Sequence, residues 1–226
     1  MFFLSPMDII LLLPALALSL YAQMKVKKAF AEMSRVRNAS GMTGAEVAER
    51  LLRRNDIPDV EVEEVQGLLT DHYDPIHKKL RLSRDVYRSD SLAALGVAAH
   101  ETGHAIQHKE AYTPLKIRQS IFPLTNIGSR MAIPLFIAGL FLSIPFLIDL
   151  GIYLFAGTVL FYIVTLPVEF NASKRALAQL SSGGYLRADE IAGAKKVLDA
   201  AALTYVAAAA MAMLQLIRLL LIRGRE

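Results

Sequence analysis

The 226-residue chain contains no cysteine and no tryptophan. Disulfides therefore take no part in holding it together, and no thiolate competes as a metal ligand. Histidine is sparse, with five residues and none beyond His108. Charge is missing over long stretches: Met131 to Val168 carries only Asp149 in 38 residues, and Met1 to Gln23 carries only Asp8. No internal repeat or low-complexity segment is present apart from an alanine run near Ala207. What is abundant is apolar, at 54% of the residues.

One membrane span takes about 20 apolar residues. Met131–Val168 therefore holds two helices, a hairpin expected to turn near Asp149-Leu150-Gly151. Residues 1–23 form a third span. Residues 200–222 form a fourth, transmembrane or buried, since Arg218 interrupts it and an arginine within the membrane is costly. The first segment reads as a span rather than a cleaved leader, because no positive residue precedes it and its apolar run is long for a leader. Lys25, Lys27, Lys28, Arg35 and Arg37 follow it, and Lys174, Arg175, Arg187, Lys195 and Lys196 follow the hairpin. By the positive-inside rule, residues 24–130 and 169–199 lie in the cytoplasm and the hairpin turn outside. The expected setting is the inner (plasma) membrane, with several spans in the lipid bilayer. The net charge of +4 is mostly juxtamembrane, so no nucleic-acid site is read from it.

Between the first span and the hairpin, Thr43-Gly44-Ala45-Glu46 has the form of a capping box and opens a helix through about Asn55. Val60, Val62 and Val65 give a short strand pattern. Leu68-Leu69-Thr70 and Lys79–Ser83 read as strands flanking a turn at Asp71–Pro75. Ser89-Asp90-Ser91 offers a cap for the helix that follows, Leu92–Gln107.

That helix carries His100-Glu101-Thr102-Gly103-His104. Histidines at i and i+4 share a helix face, so both imidazoles can reach one Zn²⁺, and the intervening glutamate is within reach of a water the metal activates. The background supports the motif. Ala93, Ala94, Ala98 and Ala99 keep the helix slim, and Gly96 and Gly103 imply close approach of another element. A buried helix does not hold ionisable groups such as His100 and Glu101 unless they are paired or coordinated.

Catalytic zinc usually takes three protein ligands. His108 continues the i, i+4 series, but on an unbroken helix it lies about 12 Å along the axis from His100. One ion with Zn–N bonds of about 2 Å cannot span that distance, so His108 reads as a solvated helix-end residue unless the helix breaks after His104. Glu169 is the better candidate, since the charge pattern places it on the same side of the membrane as the two histidines. The plainer alternative is a juxtamembrane glutamate paired with Lys174 or Arg175.

Leu68–Pro75, the Leu92–Gln107 helix and Leu166-Pro167-Val168-Glu169-Phe170-Asn171-Ala172-Ser173 closely resemble the bacterial YugP-like membrane zinc metallopeptidases. With the hydropathy pattern, the resemblance covers nearly the whole chain. More distantly the chain resembles HtpX and the CaaX-processing membrane proteases. The resemblance implies an integral membrane α+β protein with a zincin (gluzincin-like) catalytic domain and three or four transmembrane helices. It also implies His100, His104 and Glu169 as zinc ligands and Glu101 as catalytic base. The distant relatives carry an aspartate four residues after the glutamate ligand, to orient a histidine. Here that position is Ser173, which leaves the orienting group open. Zincins commonly stabilise the transition state with a histidine, tyrosine or arginine, and the candidates here are His72, Tyr73, Arg175 and Tyr185. His77 reads as an exposed turn residue.

The expected activity is hydrolysis of peptide bonds by a zinc endopeptidase at the cytoplasmic membrane surface, acting on peptides or membrane proteins. An extended substrate would pair with an edge strand near Lys79–Ser83. The rival reading is a catalytically inactive zinc-binding membrane scaffold. A transporter is disfavoured, because the hairpin offers no ion path beyond Asp149. Oligomeric state is not readable from the sequence.

Overall fold

The structure, a computed structural model, describes residues 6–224. It is mostly helical, with one small sheet. In chain order the elements are α1 (Pro6–Met33), α2 (Gly44–Arg54), β1 (Glu61–Val65), β2 (His72–Asp74), β3 (Lys79–Ser83), α3 (Arg84–Tyr87), α4 (Leu92–Lys109), α5 (Thr113–Leu142), α6 (Pro145–Ser182) and α7 (Ile191–Arg223). They divide into two compact units. One comprises Met24–Leu115 and Val168–Leu203; the other comprises the described parts of Met1–Gln23, Lys116–Pro167 and Thr204–Glu226.

In the first unit, α2 starts as its capping box demands: Thr43 Oγ1 accepts from the Glu46 amide, while the Glu46 carboxylate accepts from the Thr43 amide at 2.8 Å. Its apolar face, through Val47, Leu51 and Leu52, is buried. The sheet order is β1-β3-β2, with β3 parallel to β1 and antiparallel to β2. Lys79–Ser83 is thus the central strand and has no free edge for a substrate; β1 and β2 are the edges. The turn expected at Asp71–Pro75 also moves. His72–Asp74 is itself strand, and Leu68–Thr70 is not, because Gly67 (φ 108°) and Leu69 (φ 56°) take left-handed conformations that interrupt a ladder. Leu80, Leu82 and Val86 pack on Ala94, Ala98, Ala105 and Ile106 of α4. The opposite side of α4, through Leu92, Leu95 and Ala99, packs with Ala176 and Leu180 of α6 and Ala194 and Leu198 of α7. The metal-motif helix is therefore held between two apolar layers.

Four helices, α1, α5, α6 and α7, are long and apolar enough to cross a membrane. The span expected at residues 1–23 corresponds to α1, although residues 1–5 lie outside the described residues. Large side chains such as Leu13, Phe141, Phe146 and Leu160 lie exposed on these helices, as suits contact with lipid rather than water. In this second unit the hairpin differs from the sequence expectation. The chain turns at Ser143-Ile144, with Ser143 at φ 54°, and not at residues 149–151. Ser143, in the left-handed region, ends α5, and Pro145 suits the first turn of α6. Gly151 instead marks a helix crossing, since a Cβ there would lie 2.7 Å from the Ala132 carbonyl oxygen and 2.8 Å from the Phe136 nitrogen. The first helix of the hairpin begins at Thr113, so residues 116–130, expected in the cytoplasmic portion, group with the hairpin. Asp149 pairs with Arg223 near the end of α7, Oδ1 to Nε 2.7 Å.

Candidate metal centre

The motif helix α4 begins at Ser91, whose Oγ accepts from the Ala94 amide at 3.1 Å. It runs unbroken to Lys109, so His108 stays about two turns, roughly 12 Å, from His100 and the break that would make it a ligand does not occur. His100 and His104 stand side by side, ring centroids 4.8 Å apart and nearly perpendicular. Helix α6 lies against them. A Cβ at position 103 would sit 2.8 Å from the Ala172 carbonyl oxygen, so Gly103 is what lets α6 come this close. Gly96 faces Ala194 of α7 at ordinary contact distance.

That approach brings Glu169, only 2% exposed, to the imidazoles. Its Oε2 is 3.3 Å from His100 Nε2 and 3.6 Å from His104 Nε2, and one ligand atom from each residue lies within 4.8 Å of the others. Two atoms bonded to one tetrahedral zinc at about 2.0–2.1 Å are themselves about 3.3 Å apart, so the spacing suits that ion.

The chemistry of the donors suits it too. His100 Nδ1 is 3.1 Å from Ser173 Oγ, and His104 Nδ1 is 3.0 Å from Gln107 Oε1. With Nδ1 turned to an oxygen, each ring aims Nε2 at the carboxylate. A lone pair facing a carboxylate needs a cation between them, a proton or a metal. Burial pushes the His104 imidazolium towards losing its proton, but the Glu169 carboxylate, with Glu101 and Gln107, outweighs this and its pKa lies above the ordinary value.

Glu101, 9% exposed, follows His100 on α4. No hydrogen bond to its carboxylate is found among the described residues, whereas every other member of the cluster is engaged. Asp71 feels its charge. Burial raises the Asp71 pKa, the Ser83 amide (2.7 Å) and hydroxyl lower it, and repulsion from Glu101 raises it further.

Arg175 lies on α6 with Nε 2.7 Å from Asn171 Oδ1 and Nη2 2.7 Å from Glu110 Oε2, its guanidinium over Tyr112. The Tyr73 hydroxyl is hydrogen-bonded to His108 Nδ1 at 2.9 Å, and burial together with Asp59 and Asp74 pushes its phenol up to about 12. Those two residues line a cavity of about 200 Å³ with Asp59 and Lys78. His72 is exposed and uses Nδ1 on the Thr70 carbonyl at 2.8 Å. Tyr185 follows the end of α6 and packs beside Leu186, about 20 Å along the helix from Glu169. Among the described residues, no hydrogen bond links His72, Tyr73 or Tyr185 to the His100–His104–Glu169 group. His77 is exposed and binds Asp74.

Two side chains that touch the cluster had no role assigned from sequence. Ser173 takes up His100 Nδ1 through its hydroxyl. Gln107, a fully buried polar residue three positions beyond His104, carries no signal in the sequence beyond its place on the motif helix, because its partners Val168 and Asn171 lie on α6.

Residues 8–224 match the model of a family described as "Putative neutral zinc metallopeptidase". The chain is similar to the "Putative membrane protease YugP" of Bacillus subtilis (strain 168), 50% identical over 220 residues, which cover 96% of this chain and 98% of that one. No solved structure matches.

Proposed function

Since the chain belongs to the family described as "Putative neutral zinc metallopeptidase", we propose that it is a membrane zinc endopeptidase whose single metal is held by His100, His104 and Glu169. The observation that carries this reading is the convergence of those three side chains from two helices at zinc-like spacing. On this reading the sheet-bearing unit is a zincin-like catalytic domain at the cytoplasmic face of the plasma membrane, as the lysines and arginines beside the spans favour.

The zinc would supply Lewis acidity, polarising the scissile carbonyl and acidifying the attacking water. Glu101 takes that water's proton on its carboxylate and passes it to the leaving nitrogen, so that an amine departs. Its lack of a competing hydrogen bond leaves it free for this work. Arg175 is the cation on α6 nearest in sequence to Glu169 among the candidate donors, and we assign it to stabilising charge developed by the reacting carbonyl.

Glu101→Gln tests the mechanism. It keeps the shape of the side chain and loses the base. Zinc retained, with hydrolysis of an unstructured protein such as casein reduced at least about 100-fold, is the expected outcome. Equal hydrolysis by both forms would remove Glu101 as base. No hydrolysis by the wild type on any peptide or membrane-protein substrate, despite bound zinc, would favour a zinc-binding scaffold.

A further inference from the structure

Gln107 has no exposed surface, so both hydrogens and the oxygen of its amide must be matched inside the protein. Its Nε2 is 2.8 Å from the Val168 carbonyl oxygen and 2.9 Å from Asn171 Oδ1. The Asn171 atom also receives Arg175 Nε at 2.7 Å, which identifies it as an oxygen. With two acceptors on one side, the Gln107 amide must turn its nitrogen there and its oxygen to His104 Nδ1, 3.0 Å away. That oxygen accepts and cannot donate. His104 therefore carries its hydrogen on Nδ1 and presents Nε2 to Glu169.

The other end of the same amide holds the carbonyl of Val168, the residue immediately before Glu169. One side chain thus grips a histidine of α4 and the backbone of α6 that bears the glutamate. Helices α4 and α6 are linked in sequence only through long intervening segments, so their register at this point depends on contacts of this kind.

We propose that Gln107 is a positioning residue for the metal centre, fixing the Nδ1–H tautomer of His104 while holding the α6 backbone that carries Glu169. The proposal rests on the three-ligand reading above. A ring free to flip or to move its hydrogen to Nε2 could not bind the ion without first rearranging. A backbone released at Val168 would let the carboxylate drift. Each loss lowers metal affinity, and groups that orient ligands in this way typically contribute about 10–100-fold.

The test compares full-length wild type with Gln107→Met and Gln107→Glu, purified in detergent. Zinc affinity is measured by chelator competition, and ¹⁵N-histidine NMR of the zinc-loaded proteins reports which ring nitrogen carries hydrogen. Wild-type His104 is expected to show Nδ1–H with the metal on Nε2. Gln107→Met, similar in length but without polar groups, is expected to bind zinc roughly 10–100-fold more weakly. Gln107→Glu, which keeps the acceptor for His104 but loses the donor to Val168 and Asn171, should retain the Nδ1–H tautomer and still bind zinc more weakly than the wild type. Metal on Nδ1 in the wild type would overturn the proposal even if the methionine variant failed to fold. So would affinity for Gln107→Met within twofold of the wild type. A wild type that bound zinc fully beside an equally competent Gln107→Met would sink only the role of Gln107. A wild type that bound none would sink the metal centre as well.

Discussion

At the scale of single residues, His104 carries the pH dependence. Its pKa in the folded, metal-free protein is raised above the ordinary 6.5 because the Glu169 carboxylate outweighs burial. A raised histidine stabilises the fold fully below the unfolded value of about 6.5, and that contribution is lost as pH rises through the folded value. Zinc binding runs the other way, since the proton on Nε2 must leave before the metal can enter. With chelator present, the stability difference between wild type and His104→Gln should therefore be fully present below about pH 6.5 and shrink as pH rises above it, as read by thermal melts. Zinc affinity of the wild type should rise over the same interval. An affinity independent of pH would mean that no proton is displaced from the site.

At the scale of elements, the contact between α4 and α6 depends on Gly103. Gly103→Ala would drive a methyl to 2.8 Å from the Ala172 carbonyl oxygen, which belongs to helix backbone and cannot swing aside. The expected result is a loss of about 1–3 kcal/mol in stability and zinc occupancy below one per chain, by chemical denaturation and metal analysis. A variant of unchanged stability and occupancy would show that the helices have room to spare. The same pair of helices marks what could be read in advance. The mutual placement of His100, Glu101 and His104 was legible because five consecutive residues on one helix fix their own geometry. Glu169, 65 positions after His104, has no such local signature; only charge pattern and resemblance pointed to it. Gln107 was invisible as a working residue because its partners, Val168 and Asn171, arrive only when α6 packs. The hairpin turn was not legible because hydropathy does not vary across residues 131–168 and the prolines there do not single it out: Pro134 and Pro167 lie inside helices, whereas Pro145 opens one. The capping box at Thr43 and the Ser91 cap were readable, each being a local hydrogen-bond pattern. The pairing of β2 with β3 was not, because left-handed residues at Gly67 and Leu69 reset the strand limits.

At the scale of the whole molecule, the proposed topology can be mapped directly, because a chain without cysteine accepts single reporters on a silent background. Asp149, just after the hairpin turn, pairs with Arg223 near the end of α7, which puts the last helix turn on the same side of its unit as the hairpin turn. A four-span arrangement then requires Ile144→Cys and Gly224→Cys to react with an impermeant maleimide in intact cells, and Ser181→Cys to react only after lysis. Labelling of Gly224→Cys only after lysis would mean that α7 does not cross. The central claim, that residues on either side of the hairpin build one zinc centre, is tested most directly by counting zinc per chain in detergent-purified wild type and Glu169→Ala. About one zinc in the wild type and clearly less in the variant is the predicted result. Equal zinc in both would contradict Glu169 as a ligand, and none in the wild type after metal is added back would contradict the centre itself.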